Sequence, residues 1–283
     1  MPVDLHTHST ASDGSDTPTE LVNKAARVRL DAIAVTDHDA LEGLAEAIDA
    51  GHKAGIEVVG GTELSLDWER GGMHMVVLWL EPGDGPLQGR LGEIQASRAG
   101  RNERIIERLQ ELGYDITLGE IVAEAGGGSV GRPHIATVLV RKGYVADIQG
   151  AFDDLLAHGR PAYVDRYRLT PEEGIRLARA SGGVPVLAHP HTLGTENSSE
   201  LSGVLERLVN AGLIGMECHY GSYEGAERDG LEATARSFGL IPSGGSDYHG
   251  KYKADVALGT GKVGLAVPDR VLDELKAARA ALE

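Results

Sequence analysis

Apolar residues along this chain fall into short unbroken runs that end in polar clusters, and the runs alternate with segments of helical spacing. Val3-Asp4-Leu5 leads into His6-Thr7-His8, and Ala32-Ile33-Ala34-Val35-Thr36 ends in Asp37-His38-Asp39. Similar strands are predicted at Glu57 to Ser65, Met73 to Leu80, Val184 to Pro190, Leu213 to His219 and Leu240 to His249. Continuous apolar runs of this length suit strands buried on both faces of a parallel sheet. Thr17-Pro18-Thr19-Glu20, Thr117-Leu118-Gly119-Glu120 and Thr170-Pro171-Glu172-Glu173 read as helix starts, each a hydroxyl cap with a glutamate three residues on. Further helices are expected over roughly 40–54, 199–211 and 225–238 and from Pro268. About seven strands, most followed by a helix, predict an α/β chain folded as a closed or nearly closed parallel barrel. A doubly wound open sheet is the alternative. In a barrel, the polar strand ends would gather at the C-terminal rim.

The alternation breaks at Glu81-Pro82-Gly83-Asp84-Gly85-Pro86. From there the spacing is helical, over about 88–112, 117–126, 132–142 and 147–158, and strand–helix alternation resumes after Tyr163-Val164. This divides the chain into a barrel of residues 1–82 and 166–283 and a small helical insertion of residues 83–165 that caps the rim. Arg98, Arg101, Arg104 and Arg108 share one face of its first helix. With Glu103 and Glu107 interleaved they read as a solvated, ion-paired face, the alternative being that Arg98 or Arg101 reaches the site.

Composition narrows the function classes. The net charge of −16 argues against duplex nucleic acid and anionic membranes as partners, and an aromatic share of 4% against a base-stacking platform. No apolar run has the length of a membrane span and no leader precedes Val3, so a cytoplasmic protein is expected. The single cysteine, Cys218, suits a reducing compartment.

The chemistry lies in the polar strand ends. His6 and His8, at i and i+2, point to the same side of a strand, and Asp13 follows in a Ser/Asp/Gly turn. Together with His38, Glu63, His74, His189, Asp247 and His249 they make nine candidate metal ligands, six of them from a total of 11 histidines. Burying so many ionisable groups needs compensating charge, which divalent cations supply. Nine ligands exceed one tetrahedral site and fit two or three ions sharing a carboxylate. Zinc, manganese and iron all suit such mixed nitrogen and oxygen donors.

His6-Thr7-His8, Ser12-Asp13-Gly14, Thr36-Asp37-His38, Glu63-Leu64-Ser65, His74, Ala188-His189-Pro190 and Gly245-Ser246-Asp247-Tyr248-His249 span the chain in order. On these motifs the chain resembles the PHP (polymerase and histidinol phosphatase) superfamily of metal-dependent phosphoesterases. The segment Gly131-Arg132-Pro133-His134-Ile135-Ala136 resembles its branch of nucleoside 3′,5′-bisphosphate phosphatases and short-RNA 5′-to-3′ exonucleases. The resemblance implies a distorted (β/α)7 TIM-like barrel with a trinuclear site. One ion would take His6, His8, Glu63 and Asp247; a second would share Glu63 and add His74 and His189; a third would use Asp13, His38 and His249. A hydroxide bridging two ions, held with Glu63, would attack phosphorus.

Around this centre Arg132 is the candidate second-phosphate contact, because guanidinium pairs bidentately with phosphate. His191 is the candidate acid or phosphate contact, and His134 and His219 are lesser candidates. Gly259-Thr260-Gly261-Lys262-Val263-Gly264 fits a dinucleotide fingerprint in letters only, since no second strand with its acid follows. Gly126-Gly127-Gly128-Ser129 reads as a helix end whose amides could assist anion binding. The function expected is phosphate-ester hydrolysis on a small nucleotide, above all removal of the 3′-phosphate of a nucleoside 3′,5′-bisphosphate. The alternatives are a short-RNA exonuclease, a cyclic-phosphate hydrolase and a histidinol-phosphate-type phosphatase. Other classes are an amidohydrolase-like C–N hydrolase and a non-catalytic metal-binding module. The oligomeric state is left open.

Overall fold

The computed structural model describes residues 2–126 and 130–282, so most of the glycine run expected to bind anions, at 127–129, lies outside the described residues. Seven strands form one sheet in chain order: β1 (Val3–Asp4), β2 (Ala32–Val35), β3 (Glu57–Leu66), β4 (Met73–Leu78), β5 (Val184–Leu187), β6 (Gly215–Tyr220) and β7 (Ile241–Gly245). The sheet curls until its edges meet. Leu5 N–H donates to Gly244 O at 3.2 Å, Asp247 N–H to His6 O at 2.9 Å, and Thr7 bridges Tyr248. Gly245 makes the close approach possible, because a Cβ there would stand 2.4 Å from the His6 backbone nitrogen. The result is the nearly closed barrel that the alternation predicts.

One strand runs against expectation. β4 is antiparallel to both β3 and β5, whereas the other pairs are parallel. Its connection from β3, residues 67–72, is a hairpin tip, and a parallel return needs a crossover of about a dozen residues or more. The barrel is therefore parallel except at this hairpin.

The helices are α1 (Pro18–Arg27), α2 (Leu44–Ala54), α3 (Pro86–Glu111), α4 (Leu118–Glu124), α5 (Arg132–Arg141), α6 (Ile148–Ala151), α7 (Pro171–Ala180), α8 (Ser198–Ala211), α9 (Gly225–Ser237) and α10 (Arg270–Ala280). All three predicted capping boxes form, with Thr17, Thr117 and Thr170 each accepting the amide of the glutamate three residues on. The expected helix over 147–158 is short: α6 runs into a π-turn at Phe152–Leu156. Apolar side chains separate into three clusters. Alternate strand residues such as Leu5, Ala34, Val76 and Val186 fill the barrel interior against Val271 and Leu275 of α10. Their neighbours pack outward on α1, α2, α7 and α8. A third cluster, from Ile105 to Val164, lies within the helical segment, which thus carries a core of its own. No described helix is long and apolar enough to cross a membrane.

Candidate metal centre

Polar strand ends converge at the rim. His6 and His8 extend from β1, and their Nε2 atoms stand 3.1 Å apart. Each lies 3.2 Å from Glu63 Oε2 on β3, and Asp247 Oδ1 beyond β7 is 3.3 Å from His8 Nε2. Ligands about 2.0–2.1 Å from a shared ion adopt such spacings. Asp13 Oδ1 is 3.3 Å from His249 Nε2 and 3.8 Å from His8 Nδ1, and Asp13 Oδ2 is 3.9 Å from His38 Nε2. On the other side of Glu63, Oε1 stands 2.9 Å from both His74 Nδ1 and His189 Nε2. Three groups of donor atoms gather closely enough to hold an ion: His6, His8, Glu63 and Asp247; His8, Asp13, His38 and His249; and His38, Glu63 and His74. Nitrogens converge here without satisfying one another. His8 Nδ1 and His38 Nδ1 are buried with no hydrogen-bond partner, although Glu63 Oε2 lies only 3.2 Å from the latter. Buried polar atoms of this kind call for a partner, and a divalent cation fits the donor set.

The carboxylates are ready as ligands. Burial opposes ionisation of Asp13, Glu63 and Asp247, yet the charges around them win and hold all three well below the usual range. His38 and His249 act on Asp13, His38 and His6 on Glu63, and Lys253 and His249 on Asp247. Burial pushes His38 down to about 3, against the pull of Glu63 and Asp13.

Behind the donors stands a layer of carboxylates that the sequence did not single out. Glu217 on β6 takes His6 Nδ1 at 2.8 Å and the His189 amide at 2.6 Å, fixing which nitrogen of His6 faces inward. Asp37 accepts from Ser9 N, Ser9 Oγ and Ser12 Oγ, and so shapes the turn that carries Asp13. Asp4 does the same for the strand end at Asp247 by gripping Ser246 N and Oγ. Backbone strain is concentrated here: His189 and Asp247 have φ of 24° and 56°.

The centre opens into a cavity of about 590 Å³ between the rim and the helical segment. Asp13, His38, His74 and His249 line one wall, and Arg98, Arg101, Arg132, Arg166 and Arg168 the other. The face expected to be solvated is therefore buried where it matters, with Arg98 and Arg101 only 7% and 6% exposed. Arg104 and Arg108, further along α3, reach the carbonyls of Asp165 and Tyr163. Asp39, with φ of 53°, binds both Arg98 Nη2 and Arg166 Nη2, the latter at 2.9 Å. Burial works against its charge, but Arg166 and Arg98 keep its pKa depressed. Among the described residues Arg101 donates only to the neutral Asn102 Oδ1, and burial together with Arg98, Arg132 and Arg166 drives its pKa well down. Arg98 Nε and Arg166 Nη1 are buried without a partner among the described residues.

Arg132 lies on this wall, donating to Leu156 O at 3.2 Å with its guanidinium over the Phe152 ring. The two histidine candidates fare differently. His134 is not on the cavity wall: its Nδ1 accepts the Gly131 amide at the start of α5 and its ring packs on Tyr252. His191 is exposed, its ring 6.0 Å from that of the donor His189 and its Nδ1 2.8 Å from Tyr223 Oη. His219 faces away, 3.3 Å from Glu232 of α9, and belongs to the packing. The Gly259–Gly264 loop contacts no ligand wall; Gly261 packs on Gly221.

Comparison with known proteins agrees with this arrangement. The PHP domain model matches residues 4–169. A 3′,5′-nucleoside bisphosphate phosphatase of Chromobacterium violaceum is 32% identical, covering 87% of each chain. A phosphoribosyl 1,2-cyclic phosphate 1,2-diphosphodiesterase of Eggerthella lenta is 33% identical over 88% of this chain and 94% of its own. The 5′-3′ exoribonuclease Rnm of Escherichia coli is 34% identical over 87% of this chain and 84% of its own. Among solved structures, a Bifidobacterium adolescentis chain named as a candidate metal-dependent phosphoesterase superposes with a TM-score of 0.86 at 30% identity, over 98% of this chain and 96% of that one. Donor clusters, barrel and relatives agree: the chain belongs to the PHP domain family and is a metal-dependent phosphoric ester hydrolase.

Proposed function

We propose that this enzyme removes one phosphate from a small nucleotide that carries a second, the best fit being the 3′-phosphate of a nucleoside 3′,5′-bisphosphate. The observation that carries the proposal is the arginine wall. Five guanidinium groups share the cavity with the metal donors, and among the described residues Asp39 is the one buried carboxylate that pairs with any of them. A second phosphate would satisfy Arg101, Arg132 and the unpartnered nitrogens of Arg98 and Arg166 at once. The volume suits a ligand of nucleotide size.

In this proposal His6, His8, Glu63 and Asp247 hold one divalent ion, and Asp13, His38 and His249 a second, with His8 close to both. His74 and His189 with Glu63 Oε1 offer a third place. Zinc, manganese or iron would supply Lewis acidity and activate water at neutral pH. The chain's own work is to orient and enclose. Glu63, ionised and shared, fixes the spacing between sites. Glu217 and Asp37 keep the ligands aimed. The helical segment, taken as a cap of residues 83–165, brings Arg98, Arg101 and Arg132 over the rim and keeps water from the second phosphate.

Short RNA bearing a 5′-phosphate is the second reading. The cavity wall continues past the arginines to the hairpin tip from Trp68 to Gly72 and to His158 and Tyr163, more surface than two phosphates use. The test is Arg132→Ala and Arg101→Ala assayed on a nucleoside 3′,5′-bisphosphate, a short 5′-phosphorylated RNA and an aryl phosphate. About 10–100-fold loss of kcat/KM is expected on the bisphosphate, with little change on the aryl ester. Equal losses on both would remove the arginines from the substrate site.

A further inference from the structure

We propose that Lys253 is the substrate-side cation of the metal centre, contacting the phosphoryl group that undergoes hydrolysis while it holds the outer oxygen of Asp247. The inference rests on phosphoester hydrolysis itself and not on the identity of the nucleotide.

The side chains that border both the 590 Å³ cavity and the smaller pocket around Glu63, His189 and Asp247 are His38, His74, His249 and Lys253. Three of these are metal-type ligands; Lys253 alone brings a fixed positive charge. Asp247 explains where that charge sits. Its Oδ1 faces His8 and His6, at 3.3 and 3.8 Å, so this oxygen is the one turned toward an ion. Its Oδ2 takes Tyr220 Oη at 2.6 Å and Lys253 Nζ at 2.5 Å. Tyr220 is enough to steady that oxygen. An ammonium has three donors, and Lys253 spends one on Asp247; no second partner for it occurs among the described residues.

The turn that carries Lys253 is braced for placement. Gly250–Lys253 forms a 3₁₀ turn directly after His249, opened by Gly250 at φ of 63°. A Cβ on Gly250 would collide with Ser15 Oγ, whose hydroxyl oxygen accepts the Lys251 amide at 2.9 Å. Lys251 and Tyr252 fasten the turn to Glu124 of α4, at 3.1 Å each. The next residue in line, Lys253, is thereby fixed between the helical segment and the rim. A phosphoryl group in transfer spreads charge over three oxygens. A fixed ammonium at the boundary meets the oxygen that the ions leave uncovered, whichever ester is bound.

The experiment compares wild type, Lys253→Met, Lys253→Arg and Tyr220→Phe, each reconstituted with manganese. Metal per chain is measured, and inorganic phosphate binding is followed by calorimetry. Lys253→Met is expected to keep its metal and lose about tenfold or more in phosphate affinity, a loss of about 1.4 kcal/mol or more. Lys253→Arg should recover most of it, and Tyr220→Phe, which removes the other donor to the same oxygen, should bind phosphate as wild type does. The kcat/KM of Lys253→Met should fall alike on the aryl phosphate and the bisphosphate, in contrast to Arg132→Ala. Unchanged phosphate affinity in metal-loaded Lys253→Met overturns the proposal, and so does a loss in Tyr220→Phe as large as in Lys253→Met, since the lysine would then act through Asp247 alone.

Discussion

The two walls of the cavity are frustrated in opposite senses. On the rim, carboxylates and imidazoles converge with nitrogens that have no partner. Facing them, guanidinium groups crowd together with Asp39 as their one buried counter-charge among the described residues. Each arrangement is costly alone, because an unsatisfied buried charge loses its hydration. In the proposed function cations complete the rim and a phosphate the opposite wall. The proposed ligand, a phosphate ester held by divalent ions, would complete both.

The largest break in this symmetry comes from the rim. Removing His6 and His8 together by alanine substitution should abolish tightly held metal and lower activity by three orders of magnitude or more, on the order of what an ion supplies to catalysis. Metal analysis beside a phosphatase assay checks it, and full activity in metal-free protein would refute the assignment. On the arginine wall, Asp39→Asn leaves two guanidinium groups buried without their partner and should cost about 3–5 kcal/mol in denaturant unfolding. Its pH signature has a definite sign. The folded carboxyl is depressed, so its contribution is complete above an unfolded pKa of about 3.9 and is withdrawn as pH falls toward the folded value. In chelated protein, the gap in melting temperature between wild type and Asp39→Asn should therefore narrow below about pH 4. Glu217→Gln should keep the fold and weaken metal binding by about 10–100-fold, measured by competition with a chromogenic chelator. The smallest effect sharpens the contrast best. Arg101→Met relieves a crowded charge and should raise stability in anion-free buffer by on the order of 1 kcal/mol, read as a higher melting temperature, while phosphate-bearing ligands protect it less than wild type.

The rim was legible in the sequence because histidines and acids at the ends of apolar strands are chemically out of place, and each stands beside a recognisable strand. The facing wall was harder to read. Arg166 and Arg168 lie in the return segment before α7, where no periodicity marks a face, and the interleaved glutamates of α3 disguised Arg98 and Arg101 as a wet surface. Glu217 had a signal, an acid within the apolar run from Leu213, which the neighbouring Cys218 and His219 obscured. Strict alternation puts residues 217 and 219 on one face. A register shift between them sends Glu217 to His6 and His219 to α9 instead. The direction of β4 was hidden for a simpler reason: apolar runs look the same in either direction, and only the length of the 67–72 connection tells them apart.

That hairpin has an evolutionary side. Its ladder is locked from Gly61–Leu78 to Leu66–Met73, while its tip from Trp68 to Gly72 forms part of the cavity wall. Exposed tips of this sort accept added or deleted residues without disturbing the strands beneath. This tip is tied to the rim, however: Gly72 N–H donates to Thr192 O at 2.8 Å, and Thr192 Oγ1 stands 3.2 Å from Nδ1 of the donor His189. A lineage that lengthened or trimmed the far end of the chamber would thus also shift a candidate metal ligand. Relatives of near-equal identity bear the names of a bisphosphate phosphatase, a cyclic phosphodiesterase and an exoribonuclease, and a chamber end coupled in this way to one ligand lets reach and chemistry change together.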